Sequence, residues 1–130
     1  LVNAPEVNNS YKWASGGFIG TVEDLVRFGL AQLHDTPLNE TVQQTFWVEQ
    51  ATTSGEPTGY GLGWKVLTDE YGKRWIGHTG GSVGGTTQFW INPESGLVIA
   101  MISNLSGFKY GEAVPSLAEV FLAPPAGPGE

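Results

Sequence analysis

At 130 residues the chain is long enough for one small domain that buries roughly two-thirds of its unfolded surface. Its 13 acidic and 6 basic residues leave a net charge of −7, and without a basic stripe to displace counterions a nucleic-acid backbone is excluded as a partner. The absence of Cys removes disulfides, thiolate chemistry and Cys-based metal centres but leaves the redox compartment open, and no apolar run approaches the roughly 20 residues of a membrane span.

Residues 1–15, with Pro5 and Asn8-Asn9-Ser10, read as an extended lead-in. At Thr21 the pattern changes. Thr21-Val22-Glu23-Asp24 has the form of a capping box, and Val22, Leu25, Val26, Leu30 and Leu33 then recur at helical spacing, which predicts a helix over 22–33. Pro37 cannot continue it. A second helix is expected after Asn39, with Val42, Phe46 and Trp47 on one face.

From Gly55 the period shifts toward two. Tyr60, Leu62, Trp64 and Val66 alternate with small or polar residues, and Arg74 to Thr79 reads as the strand returning from a turn at 69–73. Thr86 to Ile91 and Leu97 to Ser103 form a second hairpin, joined by Asn92-Pro93-Glu94-Ser95-Gly96. The continuously apolar Val98-Ile99-Ala100-Met101-Ile102 predicts a strand covered on both faces. A last helix, 113–122, carries Val114, Leu117, Val120 and Phe121 along one stripe and is placed on one face of the sheet, with the two early helices on the other. The expected fold class is α+β: one antiparallel sheet of four strands flanked by helices, over residues 1–122. The Pro/Gly-rich stretch 123–130 has nothing to bury and is expected to be disordered.

Glycine is in excess, at 19 residues against about nine from average usage of about 7%, and five of them fall between Ile76 and Gly85. Such a strand has lost the side chains along its edge, so a ligand or another backbone can lie against it. His78 and Thr79 are the side chains with hydrogen-bonding reach in its first half, and the Gly81 amide is unobstructed enough to serve as an oxyanion donor. A glycine-rich hairpin with a satisfied His is the alternative from spacing alone.

His78-Thr79-Gly80-Gly81 resembles the Lys/His-Thr-Gly element of serine β-lactamases, penicillin-binding proteins and related esterases. Tyr11-Lys12-Trp13-Ala14-Ser15-Gly16-Gly17-Phe18-Ile19-Gly20 with the following Thr21 to Leu25 is similar to the Gly-Gly turn into a helix of the class C β-lactamase-related, LACTB-like branch. Tyr60-Gly61-Leu62-Gly63-Trp64 and Gly96-Leu97-Val98-Ile99-Ala100 are similar to its next strand and its closing strand, in the family's order. The resemblance implies a β-lactamase/transpeptidase-like fold, of which this chain supplies the C-terminal portion. It implies that His78 and Thr79 bond substrate and serve the proton network, that the Gly81 amide is one of two oxyanion donors, and that Gly80 and Ser82 complete the substrate wall. The implied substrate is a small acyl compound or peptide, with no cofactor and no metal.

The family's nucleophile and activating lysine come from Ser-x-x-Lys at a helix start, far upstream of these segments. No Tyr-x-Asn occurs, and the Ser-x-x-Lys at Ser106-Gly107-Phe108-Lys109 follows the closing strand and carries a glycine where a helical turn is needed, so it reads as coincidence. The nucleophile is therefore expected outside this chain, and the partners are the N-terminal half of the domain or a second copy that covers a bare sheet edge. Two other readings are a peptide-binding module using the glycine-rich edge and a complete small enzyme using Ser106 with His78. A His in place of Lys at position 78 favours ester or peptide substrates over anionic β-lactams, since a neutral imidazole offers one donor and one acceptor rather than a fixed charge. His34 and His78 lack neighbouring carboxylates at ligand spacing, Glu23 and Asp24 read as helix N-terminal charge, and Trp64, Trp75 and Trp90 read as core. The sequons at Asn8, Asn39 and Asn104 are short patterns of common residues and carry no assignment.

Overall fold

A computed structural model of the chain describes residues 2–122. The element order is a 3₁₀ turn at Trp13–Ser15, α1 Val22–His34, α2 Glu40–Trp47, β1 Lys65–Thr68, β2 Arg74–Ser82, β3 Gly85–Asn92, β4 Leu97–Ser103 and α3 Ala113–Leu122. The expected disorder at 123–130 lies outside the described residues.

The capping box forms as predicted. Thr21 Oγ1 accepts from the Asp24 amide at 3.2 Å and the Asp24 carboxylate accepts from the Thr21 amide at 2.9 Å, satisfying two orphan donors of α1. The helix ends at His34, the Asp35 amide closing on the Ala31 carbonyl at 2.9 Å. Its point of contact differs from the expected stripe: Val22 and Leu30 are exposed and Gly29 is buried. A Cβ at Gly29 would lie 2.5 Å from Val98 Cγ1, so glycine is what lets the helix approach the sheet. In α2, capped by Asn39, Trp47 is buried and Val42 is not. Gln43 takes the expected place of Val42, its amide donating to the Gln32 carbonyl and so tying α2 to α1.

The four strands form one antiparallel sheet in the order β1-β2-β3-β4, so the α+β class read from the sequence is correct. Period two divides their side chains between two faces. Trp75, Trp90 and Ile99 pack under Ala118, Val114, Leu117 and Leu122 of α3. The expected α3 stripe is corrected accordingly, because Val120 and Phe121 point to solvent. On the opposite face Phe28 of α1 stacks on Trp64 and both rings pack against Phe89, with centroids about 6 Å apart, and Ile76 and Ile91 are fully buried. Each such side chain contributes about 1.5–3 kcal/mol.

The strand expected over Tyr60 to Val66 begins only at Lys65. Gly59 and Gly63 have φ of +70° and +82°, and Gly61 presses so close to the Phe46 carbonyl that a Cβ would stand 2.1 Å from its oxygen. The alternation there belongs to an irregular approach, which sets the half-buried Trp64 against Phe28, Trp47 and Phe89. By contrast, β4 matches its expected bounds. The preceding turn is held by the buried Asn92, whose Oδ1 accepts from the Ser95 amide and hydroxyl and whose Nδ2 reaches the Arg74 carbonyl.

Candidate active-site wall

β2 is paired by β3 from Ile76↔Ile91 to its last residue, Ser82↔Gly85. Its pairing with β1 stops at Lys65↔Gly77. From His78 to Ser82, therefore, one side of the β2 backbone carries no strand among the described residues, and the sequence that occupies this open stretch is His78-Thr79-Gly80-Gly81-Ser82.

Two glycines on this strand have opposite reasons. A Cβ at Gly77 would meet the Phe89 carbonyl oxygen at 2.0 Å and the Trp90 ring at 2.6 Å, so Gly77 is required by packing. At Gly81 nothing lies within 4 Å of that position, and at Gly80 only Thr87 Cβ at 3.7 Å. Packing does not require glycine at 80 and 81, and their effect is to leave this stretch of the strand without side chains.

The strand's alternation separates His78 from Thr79. His78 is exposed on the α1 side, its ring 5.7 Å from that of Tyr60, which in turn lies 5.8 Å from Lys65 Nζ. His78 Nδ1 is 2.6 Å from the Thr79 carbonyl oxygen. A carbonyl only accepts, so Nδ1 carries the proton, and in a neutral ring Nε2 would be the acceptor. On the α3 side Thr79, Gly80 and Gly81 line an open groove of about 490 Å³ together with Gln88, Lys109 and Tyr110. The predicted residues are thus collected at one strand edge, but His78 and Thr79 address it from opposite faces, and His78 and Ser82 do not line the groove.

Ser106 is a linker between loops. Its Oγ accepts from the Gly84 amide at 2.7 Å, and Gly107 has φ of +64°, so no helical turn brings Lys109 onto Ser106. Thr86 Oγ1 donates to the Leu105 carbonyl at 2.6 Å and accepts from the Phe108 amide at 3.2 Å, fixing the same loop. The sequence noted Lys109 only as the end of this motif; its place in the groove depends on that loop folding back over β3.

A second polar centre was not anticipated. Asp69 accepts from the amides of Tyr71 and Lys73 at 3.0 and 2.9 Å and from the Trp75 indole at 2.8 Å. Partial burial pushes its carboxyl up, but the indole and the two amides outweigh this and hold it below its ordinary value of 3.8. Across the turn the Tyr71 hydroxyl donates to Glu119 of α3 at 3.0 Å, and that carboxylate raises the phenol above its ordinary 10.0. The only sequence signal was an Asp at the start of a turn. Among the described residues no three His, Cys, Asp or Glu are grouped to hold a metal ion.

An α+β sheet with a glycine-stripped edge headed by His-Thr-Gly is the arrangement of the β-lactamase-type serine hydrolases, and the family model for beta-lactamase matches residues 1–120. The chain belongs to the β-lactamase family. Within it, the serine beta-lactamase-like protein LACTB, mitochondrial, of Bos taurus is 32% identical over 159 aligned positions, covering 93% of this chain and 29% of that protein. The Homo sapiens counterpart is 34% identical over 119, covering 72% of this chain and 22% of that protein. The chain therefore spans less than a third of the curated relatives it matches. A crystal structure of a D-stereospecific amidohydrolase from Streptomyces sp. shares the fold with a TM-score of 0.59 at 21% identity, covering 78% of this chain and 30% of that one.

Proposed function

We propose that the chain is the substrate-wall and oxyanion-side half of an acyl-serine hydrolase, an esterase or peptidase, whose nucleophilic serine and activating lysine come from residues outside this sequence. The observation that carries the reading is the unpaired His78–Ser82 edge with open space at Gly81. An extended acyl or peptide substrate laid along this edge exchanges main-chain hydrogen bonds with it. The Gly81 amide is one oxyanion donor, with the amide of the absent nucleophile as the other. His78 Nε2 accepts from substrate or proton carrier, and Thr79, Gly80 and Ser82 complete the wall.

Two features support a partner for this half. Trp13, Phe18 and Ile19 are 79%, 83% and 101% exposed beside the entry to α1, and the outer edge of β4 pairs with nothing among the described residues. Apolar surface of this kind and a bare edge call for cover. That cover is the upstream part of the same domain or, without it, a second copy.

Intact-mass spectrometry after incubation with a fluorophosphonate tests the assignment. The chain alone acquires no adduct, and supplying the upstream polypeptide produces one on a serine of that polypeptide. A stoichiometric adduct on this chain would overturn the reading and make Ser106 the first residue to map.

A further inference from the structure

Between the β1–β2 turn, the α3 face of the sheet and the start of α3 lies a second cavity, of about 340 Å³, floored by Trp75 and Trp90 and walled by Leu67, Val114, Pro115 and Ala118. Its size is at the lower end for small-molecule sites, about 300–1,000 Å³. It touches the groove beside β2 only at Gln88, Tyr110 and Gly111.

The indole and phenol donors of its lining are all spent within the protein, which leaves the Lys73 ammonium and the Gln88 amide as the side-chain donors without a partner among the described residues. The Trp75 indole N–H is taken by Asp69 and the Trp90 indole N–H by Gln88 Oε1, each at 2.8 Å. The Tyr110 hydroxyl donates to the Thr86 carbonyl at 2.7 Å and the Tyr71 hydroxyl to Glu119. These donors are consumed inside the protein. Of the acceptors, the carboxylates of Glu70 and Glu112 on the rim make no hydrogen bond or ion pair among the described residues. Lys73 is the one cation of the lining, against Asp69, Glu70 and Glu112. An apolar pocket with aromatic walls and free acceptors of net negative charge is complementary to a ligand that is apolar at one end and cationic at the other.

We propose that this cavity binds a small organic ammonium compound, its hydrocarbon or aryl body against Trp75, Trp90 and Ala118 and its ammonium group between Glu70 and Glu112. The site lies on the face opposite His78, and it holds or fails independently of the hydrolase assignment, because binding is read directly.

The test is calorimetric titration of the full chain with 4-phenylbutylamine, 4-phenylbutanol and 4-phenylbutyrate, three probes with one body and a cationic, neutral or anionic head. The amine is expected to bind about tenfold tighter than the alcohol, the size of a partly desolvated cation–π and ion-pair preference, and the acid not at all. In NMR the perturbed signals are the Trp75 and Trp90 indoles and the Val114 and Ala118 methyls. Glu70→Gln with Glu112→Gln, at exposed positions and so without cost to the melt, should reduce the amine to the affinity of the alcohol and leave the alcohol unchanged. The proposal is overturned by equal affinity for the three heads, by no binding of the amine, by amine shifts scattered over the acidic surface, or by an amine preference that survives the double substitution.

Discussion

Gly77 and Gly81 lie four residues apart on one strand and project to the same face, so alanine at each separates what the fold requires from what the edge requires. At Gly77 the new methyl group would stand 2.0 Å from the Phe89 carbonyl oxygen and 2.6 Å from Trp90 Cε3, and both neighbours are buried in the centre of the sheet. Overpacking costs about 1–3 kcal/mol where side chains can yield. Here a paired backbone must also move, so about 3 kcal/mol is the expected loss for Gly77→Ala. For a chain of this size the entropy of unfolding is about 0.25 kcal/mol/K, which converts the loss to a fall in Tm of about 12 °C. Gly81→Ala meets nothing within 4 Å and trades the entropy of a strand glycine for a methyl group, so it should melt at or slightly above the parent, by at most about 1 kcal/mol. Thermal denaturation followed by circular dichroism reads both. Parent-like melting of Gly77→Ala would refute the Gly77↔Trp90 register, and a large loss in Gly81→Ala would refute the open edge on which the functional proposal stands.

Thr21→Ala removes the side-chain cap of α1 and should cost about 1 kcal/mol in denaturant unfolding, whereas an unchanged midpoint would mean that the box does not persist in solution. Asp69→Ala leaves the mostly buried Trp75 indole and two turn amides without their acceptor and should cost about 2–3 kcal/mol. Because the folded carboxyl of Asp69 is held below 3.8, its contribution is complete above that pH and is lost as the pH falls through the lowered folded value. Asp69→Asn should therefore flatten the acid limb of a stability profile, and an identical limb would count against the hub. Phe18→Ser with Ile19→Ser, at positions 83% and 101% exposed, should lower self-association in sedimentation while leaving the melt unchanged; an unaltered association constant would move the sticky surface elsewhere.

Where the sequence was legible, local chemistry and tertiary packing agreed. β4 was bounded to the residue because an apolar run follows an Asn-Pro-Glu-Ser-Gly turn, and that turn closes through Asn92 on its own Ser95. The capping box of α1 needed nothing outside Thr21 to Asp24. The misreadings fall where a partner decides. Alternation from Tyr60 to Trp64 satisfied the strand pattern, yet each intervening glycine serves a positive φ or a close approach to the Phe46 carbonyl, which no pattern within the segment records. In α3 the stripe through Val120 and Phe121 leaves out Ala118, but the large Trp75 and Trp90 on the sheet leave room for a small residue above them.

The same logic governs the candidate site. Read as a motif, His78-Thr79-Gly80-Gly81 is a unit; placed on a strand, it is two devices. Period two sends the imidazole toward Tyr60 and the Thr79 side chain toward Gln88 and Lys109, while the backbone between them faces the open edge. A substrate strand lying there can be met by His78 on one side and by the Lys109 groove on the other, with Gly80 and Gly81 imposing no side chain between. On the proposed reading the glycines would do more than admit a substrate: they would let one edge be served from both faces of the sheet, and a bulky residue at either position would divide the site even where the fold accepts it.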